Sequence, residues 1–222
     1  MRIITVPLNT FPDGYKTVNV TSRSTSIYRD LSPFYLKDAI QPDANIENLW
    51  QYSKLYDCHQ PGTVYTDNHE TFVVQMPYGL TETITLREIL PSKEWLGWNR
   101  TIHGKVWADH HPMGHKRPIH GVFEHKGRYY ECDCIQSRKL IYVPRYALAA
   151  TQSPTYQALL KLSKEHDIAL QDFDWCNMSQ RPKEIINDPR HRMGHAAILA
   201  MCLSGADAPK FPFEKQERSE SL

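Results

Sequence analysis

The sequence predicts an α+β chain folded as a single domain, mainly helical, with a strand- and loop-rich central stretch over residues 57–137. Three observations carry this. At 222 residues the chain is long enough for one substantial domain, burying roughly 70% of its unfolded surface. β-branched runs with period-two alternation occur near the start and in the middle. Helical periodicity dominates the last third.

In chain order, Arg2 to Val6 is rich in β-branched residues and reads as a strand. Pro12-Asp13-Gly14 is a turn signal, and Val18 to Thr21 alternates as a second strand. Residues 22–30 are hydroxyl-rich and carry Arg23 and Arg29, a loop or a set of donors for an anionic ligand. After Pro42, Asp43 and Asn45 are N-cap candidates for a helix through Ile46 to Tyr56. Ile46, Leu49, Trp50 and Ser53 share one face, with Trp50 as a core anchor. Glu47, Gln51 and Lys54 share the neighbouring face, an ordinary wet stripe when taken alone.

Thr71 to Met76 is a strand ended by Pro77 and Gly79, and Ile84 to Leu90 is a strand or short helix ended by Pro91. Gly127 to Cys132 reads as the second arm of a hairpin. Ser137 to Tyr142 is a short helix stopped or bent before Pro144, with helix resuming over Tyr146 to Ala150. Ser153-Pro154 starts another helix by N-cap and N1 proline. Ile168 to Leu170 is a strand leading into Gln171-Asp172-Phe173-Asp174-Trp175. Arg190 to Leu203 is a final helix with Ala197, Ile198, Met201 and Cys202 as its stripe, closed by Gly205. Residues 205–222 form a polar tail.

Lys+Arg of 26 against Asp+Glu of 25 argues against a nucleic-acid partner held by phosphate charge, although a local basic patch stays compatible with one. Five irregularly spaced cysteines give no disulfide framework. No signal-peptide pattern and no apolar run near the ~20 residues of a membrane span are present. These features predict a cytoplasmic protein with no membrane partner. Six of the eleven histidines fall between His103 and His125, but no Cys-x2-Cys or His-Glu-x-x-His spacing accompanies them. A Pro- and Gly-containing surface loop is expected there, with no metal and no cofactor. Walker, dinucleotide and nucleophile-elbow motifs are absent, so several common enzyme classes lack support.

Four pieces, in order, resemble the NADAR family of N-glycosidases. Leu31-Ser32-Pro33-Phe34 is similar to its phenylalanine-serine-asparagine-phenylalanine segment. Glu47, Gln51 and Lys54 match its glutamate, glutamine and lysine in type and spacing. Asp172-Phe173-Asp174-Trp175 is similar to its acidic-aromatic segment, and Met193-Gly194 with Ile198 and Leu199 to its closing helix. Pro33, Asn48 (where the family usually has histidine) and Cys176 depart from the pattern, and residues 57–137 form an atypical insertion. The resemblance is that of a remote relative, of the kind bacteriophages carry, with residues 1–204 as the NADAR-like domain.

The resemblance implies hydrolysis of an N-glycosidic bond in a nucleotide, a modified nucleoside or an ADP-ribose conjugate. The alternative is a catalytically inactive nucleotide-binding or host-interaction protein on the same fold. It implies Glu47 and Asp174 as catalytic carboxylates. Lys54, Gln51, Trp175, Ser32, Phe34, Asp172 and Arg23 become the substrate-binding set, with Trp175 stacking on the base. Gly194 is expected to serve close helix packing.

Overall fold

A computed structural model describes residues 1–76, 79, 81–177 and 182–204. Pro77, Gly205 and the tail lie outside them. The chain runs β1 (Ile3–Pro7), β2 (Lys16–Asn19), α1 (Ile46–Tyr52), β3 (Lys54–Leu55), β4 (Val64–Gln75) and β5 (Thr81–Leu90). It continues with α2 (Lys93–Arg100), β6 (His120–His125), β7 (Arg128–Cys132), α3 (Cys134–Ser137) and α4 (Val143–Gln152). It ends with α5 (Pro154–Ser163), β8 (Ile168–Asp172), α6 (Pro182–Asn187) and α7 (His195–Leu203). Helix makes up 34% and strand 26%, a mixed α+β composition. Among the described residues, no helix is long and apolar enough to cross a membrane.

Two sheets form. The first is parallel, in the order β1-β8-β2, with Ile3 opposite Ile168 and Val18 opposite Leu170. Its middle strand β8 is buried at all five positions, as a strand covered on both faces must be. The second is antiparallel, in the order β3-β6-β7-β5-β4, and gathers the stretch in which sequence periodicity was loosest. Ile84 to Leu90 is strand. The β6–β7 hairpin turns at Lys126 (φ 51°) and Gly127 (φ 74°), two successive positive φ values that match the right-handed twist of the flanking strands.

One buried cluster draws on both sheets and on the helices: Phe72, Val74 and Leu86 pack with Leu170, Tyr146, Ile198 and Leu199. A smaller cluster of Leu55, Ile89, Trp95 and Val122 lies beside it. α7 is apolar all round and buried throughout, packing against α4, β1 and β8. It is shorter than the expected 190–203 helix, and α6 precedes it. Pro144 does not stop a helix. Residues 138–142 form a π turn joining α3 to α4, and Pro144 falls in the first turn of α4, directly after that turn.

Candidate active site

α1 is set by its ends. Asn45 caps it, its side chain accepting from Asn48 N at 2.8 Å. The expected Asp43 instead pairs with His103. The Ser32–Phe34 segment docks beside the first turn, where Pro33 O accepts from Glu47 N at 3.0 Å. The helix is shorter than its pattern suggests, ending at Tyr52, so Lys54 belongs to β3. Its polar stripe is not wet: Glu47 is 4% exposed and Gln51 6%.

That burial is compensated by a chain of side chains. Gln51 Nε2 donates to Glu47 Oε1 at 2.8 Å, and Lys54 Nζ donates to Gln51 Oε1 at 2.6 Å. Glu47 Oε1 also meets His110 Nδ1 at 2.5 Å. Two donors on one buried carboxylate oxygen hold it in place. Burial lowers the Lys54 ammonium to about 8, against a smaller opposing pull from Glu47. Its Nζ also lies 4.9 Å from the centre of the Trp50 ring. Trp50 packs partly against the core and partly lines the cleft, a mixed role in place of a plain core anchor.

Opposing carboxylates arrive at the carboxyl end of β8, where open parallel sheets commonly place ligands. Asp172 is buried, and both its oxygens are occupied. Oδ1 accepts from Phe173 N at 2.7 Å and Oδ2 from Ala196 N at 3.0 Å, with His195 Nδ1 at 3.2 Å. It thus caps α7, accepting from one of the N–H groups that the first turn of the helix leaves free. Asp174 is half-buried, and its carboxylate has no hydrogen-bond donor among the described residues. Burial, then the charge of Asp172, pushes its pKa up. Of the two, Asp174 is the one whose carboxylate is left open to the cleft.

Gly194 joins both. Its N–H donates to Asp174 O at 2.9 Å. A Cβ there would stand 2.5 Å from that oxygen and closer still to Asp172 Oδ2. The glycine allows the α7 N-terminus to approach the acidic turn, and it also lines the cleft.

The two halves face one cleft of about 770 Å³. Glu47, Asp174, Lys54, Gln51, Ser32, Phe34, Asp172 and Arg23 all line it. Trp175 does not; it is 46% exposed away from the cleft. Neighbouring Phe173 lines it instead, with the Arg23 guanidinium 5.0 Å from its ring centre. Arg29 lies over Tyr35, away from the cleft.

Sequence reasoning missed His110, Tyr142, Arg138 and Arg192, which line it too. Burial, then Glu47, Asp172 and Asp174, pushes the Tyr142 hydroxyl well up, so it stays a neutral donor. Tyr142 ends the π turn, a distortion frequent at functional sites. From the same turn, Arg138 donates to the carbonyls of Asp188 and His191 at 2.7 and 2.5 Å, steadying the approach to Arg192 and Gly194.

Among the described residues, no group of three or more His, Cys, Asp or Glu side chains is arranged to hold a metal ion. No protein-family model, curated protein or solved structure matches the chain.

Proposed function

We propose that the protein is a cytoplasmic, NADAR-like hydrolase that cleaves the N-glycosidic bond of a nucleotide, a modified nucleoside or an ADP-ribose conjugate. The observation that carries this reading is one cleft holding a fixed buried carboxylate, Glu47, and a second carboxylate, Asp174, with no donor among the described residues. N-glycoside hydrolysis passes through a sugar cation, and paired carboxylates stabilise such a cation and activate water. Glu47, held by its donors, stabilises the positive ribose. Asp174, with no donor among the described residues and a raised pKa, takes the proton of the attacking water.

Charge and shape support a nucleotide-like small molecule. Arg23, Lys116 and Arg192 stand around the opening and suit phosphate oxygens. Phe34 and Phe173 offer ring surface for a base in the place expected of Trp175. Lys54 and Gln51 would hold ribose hydroxyls. The reaction needs water and no cofactor.

Incubation with a nucleotide panel, followed by chromatography, tests the reading. Glu47→Gln keeps an acceptor oxygen for Gln51 and His110, so the fold is expected to stand while release of free base falls by about 10²–10⁴-fold. Unchanged turnover in that variant removes Glu47 from the reaction. Thermal stabilisation by nucleotides with no product over time would leave a binding protein on the same cleft.

A further inference from the structure

Residues 101–119, between α2 and β6, have no secondary structure that would place them, yet they are fixed at one point. The Asn48 side chain is fully buried and spends both polar ends on this segment. Its Nδ2 donates to Trp107 O at 3.0 Å, and its Oδ1 accepts from Asp109 N at 2.7 Å. Tyr52, on the same helix, donates to Asp109 Oδ2 at 3.1 Å, and Lys105 bonds both. Two polar residues of α1 therefore set the register of the segment, and the next residue along is His110.

His110 turns Nδ1 to Glu47, while its ring lines the cleft 5.6 Å from Phe34 and stays half-exposed. Nε2 has no partner among the described residues. A histidine held at one nitrogen by a carboxylate, with the other facing a cleft, is oriented for proton transfer.

We propose that His110 is a catalytic residue, the proton donor to the departing base, carried into the site by the 101–119 segment. The assignment rests on the N-glycosidase reading. As the C1′–N bond breaks, its electron pair passes to the base nitrogen, which takes the proton from His110 Nε2. Water adds to C1′ and gives its proton to Asp174, and solvent then returns the two groups to their starting states. Four charged or titratable groups face the imidazole. Glu47 on α1 and Asp174 after β8 favour the imidazolium, Lys54 on β3 opposes it, and His111 lies on the same segment.

Two probes with the same ribose 5′-phosphate separate proton donation from mere positioning. Adenine must gain a proton to leave AMP; nicotinamide leaves nicotinamide mononucleotide as a neutral molecule without one. His110→Gln should slow AMP hydrolysis by about 10²-fold or more and change nicotinamide release only a few-fold. His110→Ala should regain AMP hydrolysis when imidazole is added, which an unfolded variant could not do. An equal fall for both probes, or wild-type cleavage of nicotinamide mononucleotide alone, overturns the assignment. Wild-type protein that cleaves neither probe nor any other nucleotide overturns the hydrolase reading itself, a separate result.

Discussion

Replacing Lys54 with methionine should make the protein more stable at neutral pH, by an amount that shrinks as pH rises. The ammonium sits among Gln51, Trp50 and Glu47 with its pKa down at about 8, against 10.5 when unperturbed. The folded state therefore gives up this proton more readily than the unfolded state. Between pH 8 and 10.5 the unfolded chain binds more protons, so wild-type stability gains with pH across that window. At about 1.4 kcal/mol per pKa unit, holding the charge costs the fold about 3 kcal/mol at pH 7 and about 1 kcal/mol at pH 9.5. Methionine removes this penalty and leaves Gln51 Oε1 without its donor, a loss of about 1–3 kcal/mol that does not depend on pH. The net effect at pH 7 thus lies between neutral and about 2 kcal/mol in favour of the variant. The sharper quantity is the difference between variant and wild type, which should fall by about 2 kcal/mol from pH 7 to pH 9.5. Urea unfolding followed by tryptophan fluorescence at both pH values measures it. Parallel behaviour of the two proteins would mean that Lys54 titrates normally, and the dry relay from Lys54 to Glu47 would have to be abandoned.

Two further substitutions probe how the cleft is assembled. Gly194→Ala drives a methyl group onto Asp172 Oδ2 and Asp174 O; a loss of about 1–3 kcal/mol in stability and a clear drop in nucleotide turnover are expected, and calorimetry with a turnover assay would show either missing. Asn48→Ala leaves Trp107 O and Asp109 N without their partner, so limited proteolysis should cut within 101–119 faster than in wild type while α1 stays folded. Cleavage at the wild-type rate would mean that Asn48 does not hold the segment.

Local chemistry was legible in the sequence wherever one or two neighbouring residues decide the structure. Asn45 as a cap, Ser153-Pro154 as a helix start and the hairpin arm ending at Cys132 need only short-range rules. Glu47, Gln51 and Lys54 were legible as a group for a related reason. Although α1 stops at Tyr52, the chain stays helical at Ser53 (φ −77°, ψ −9°), so the three-residue step from Gln51 to Lys54 still brings the side chains together. Their burial was not legible, because no periodicity in α1 reports that residues 107–111 lie over it. Trp175 was misread for the converse reason. It follows Asp174 directly, but a turn at the end of β8 sends successive side chains different ways, and Phe173 takes the place by the cleft.

His110 shows most sharply where short-range reading ends. Nothing within several residues of it predicts a partner in Glu47, 63 positions earlier, and its neighbours Pro112 and Gly114 read as loop. The usable signal was at the other end, in Asn48, a carboxamide with a donor and an acceptor between the buried Glu47 and Leu49 of α1. Such a group is costly to bury unless both ends are satisfied. Neither end bonds within α1; both go to residues 107 and 109. An interior asparagine of this kind marks where a distant segment attaches, and the residue following the attachment is the one to test for chemistry. By that logic, Asn48→Asp, which keeps the acceptor for Asp109 N but sets a buried carboxylate oxygen against Trp107 O, should displace His110 at least as much as Asn48→Ala. AMP hydrolysis should then fall in both variants, and wild-type activity in both would mean that His110 reaches Glu47 without the anchor.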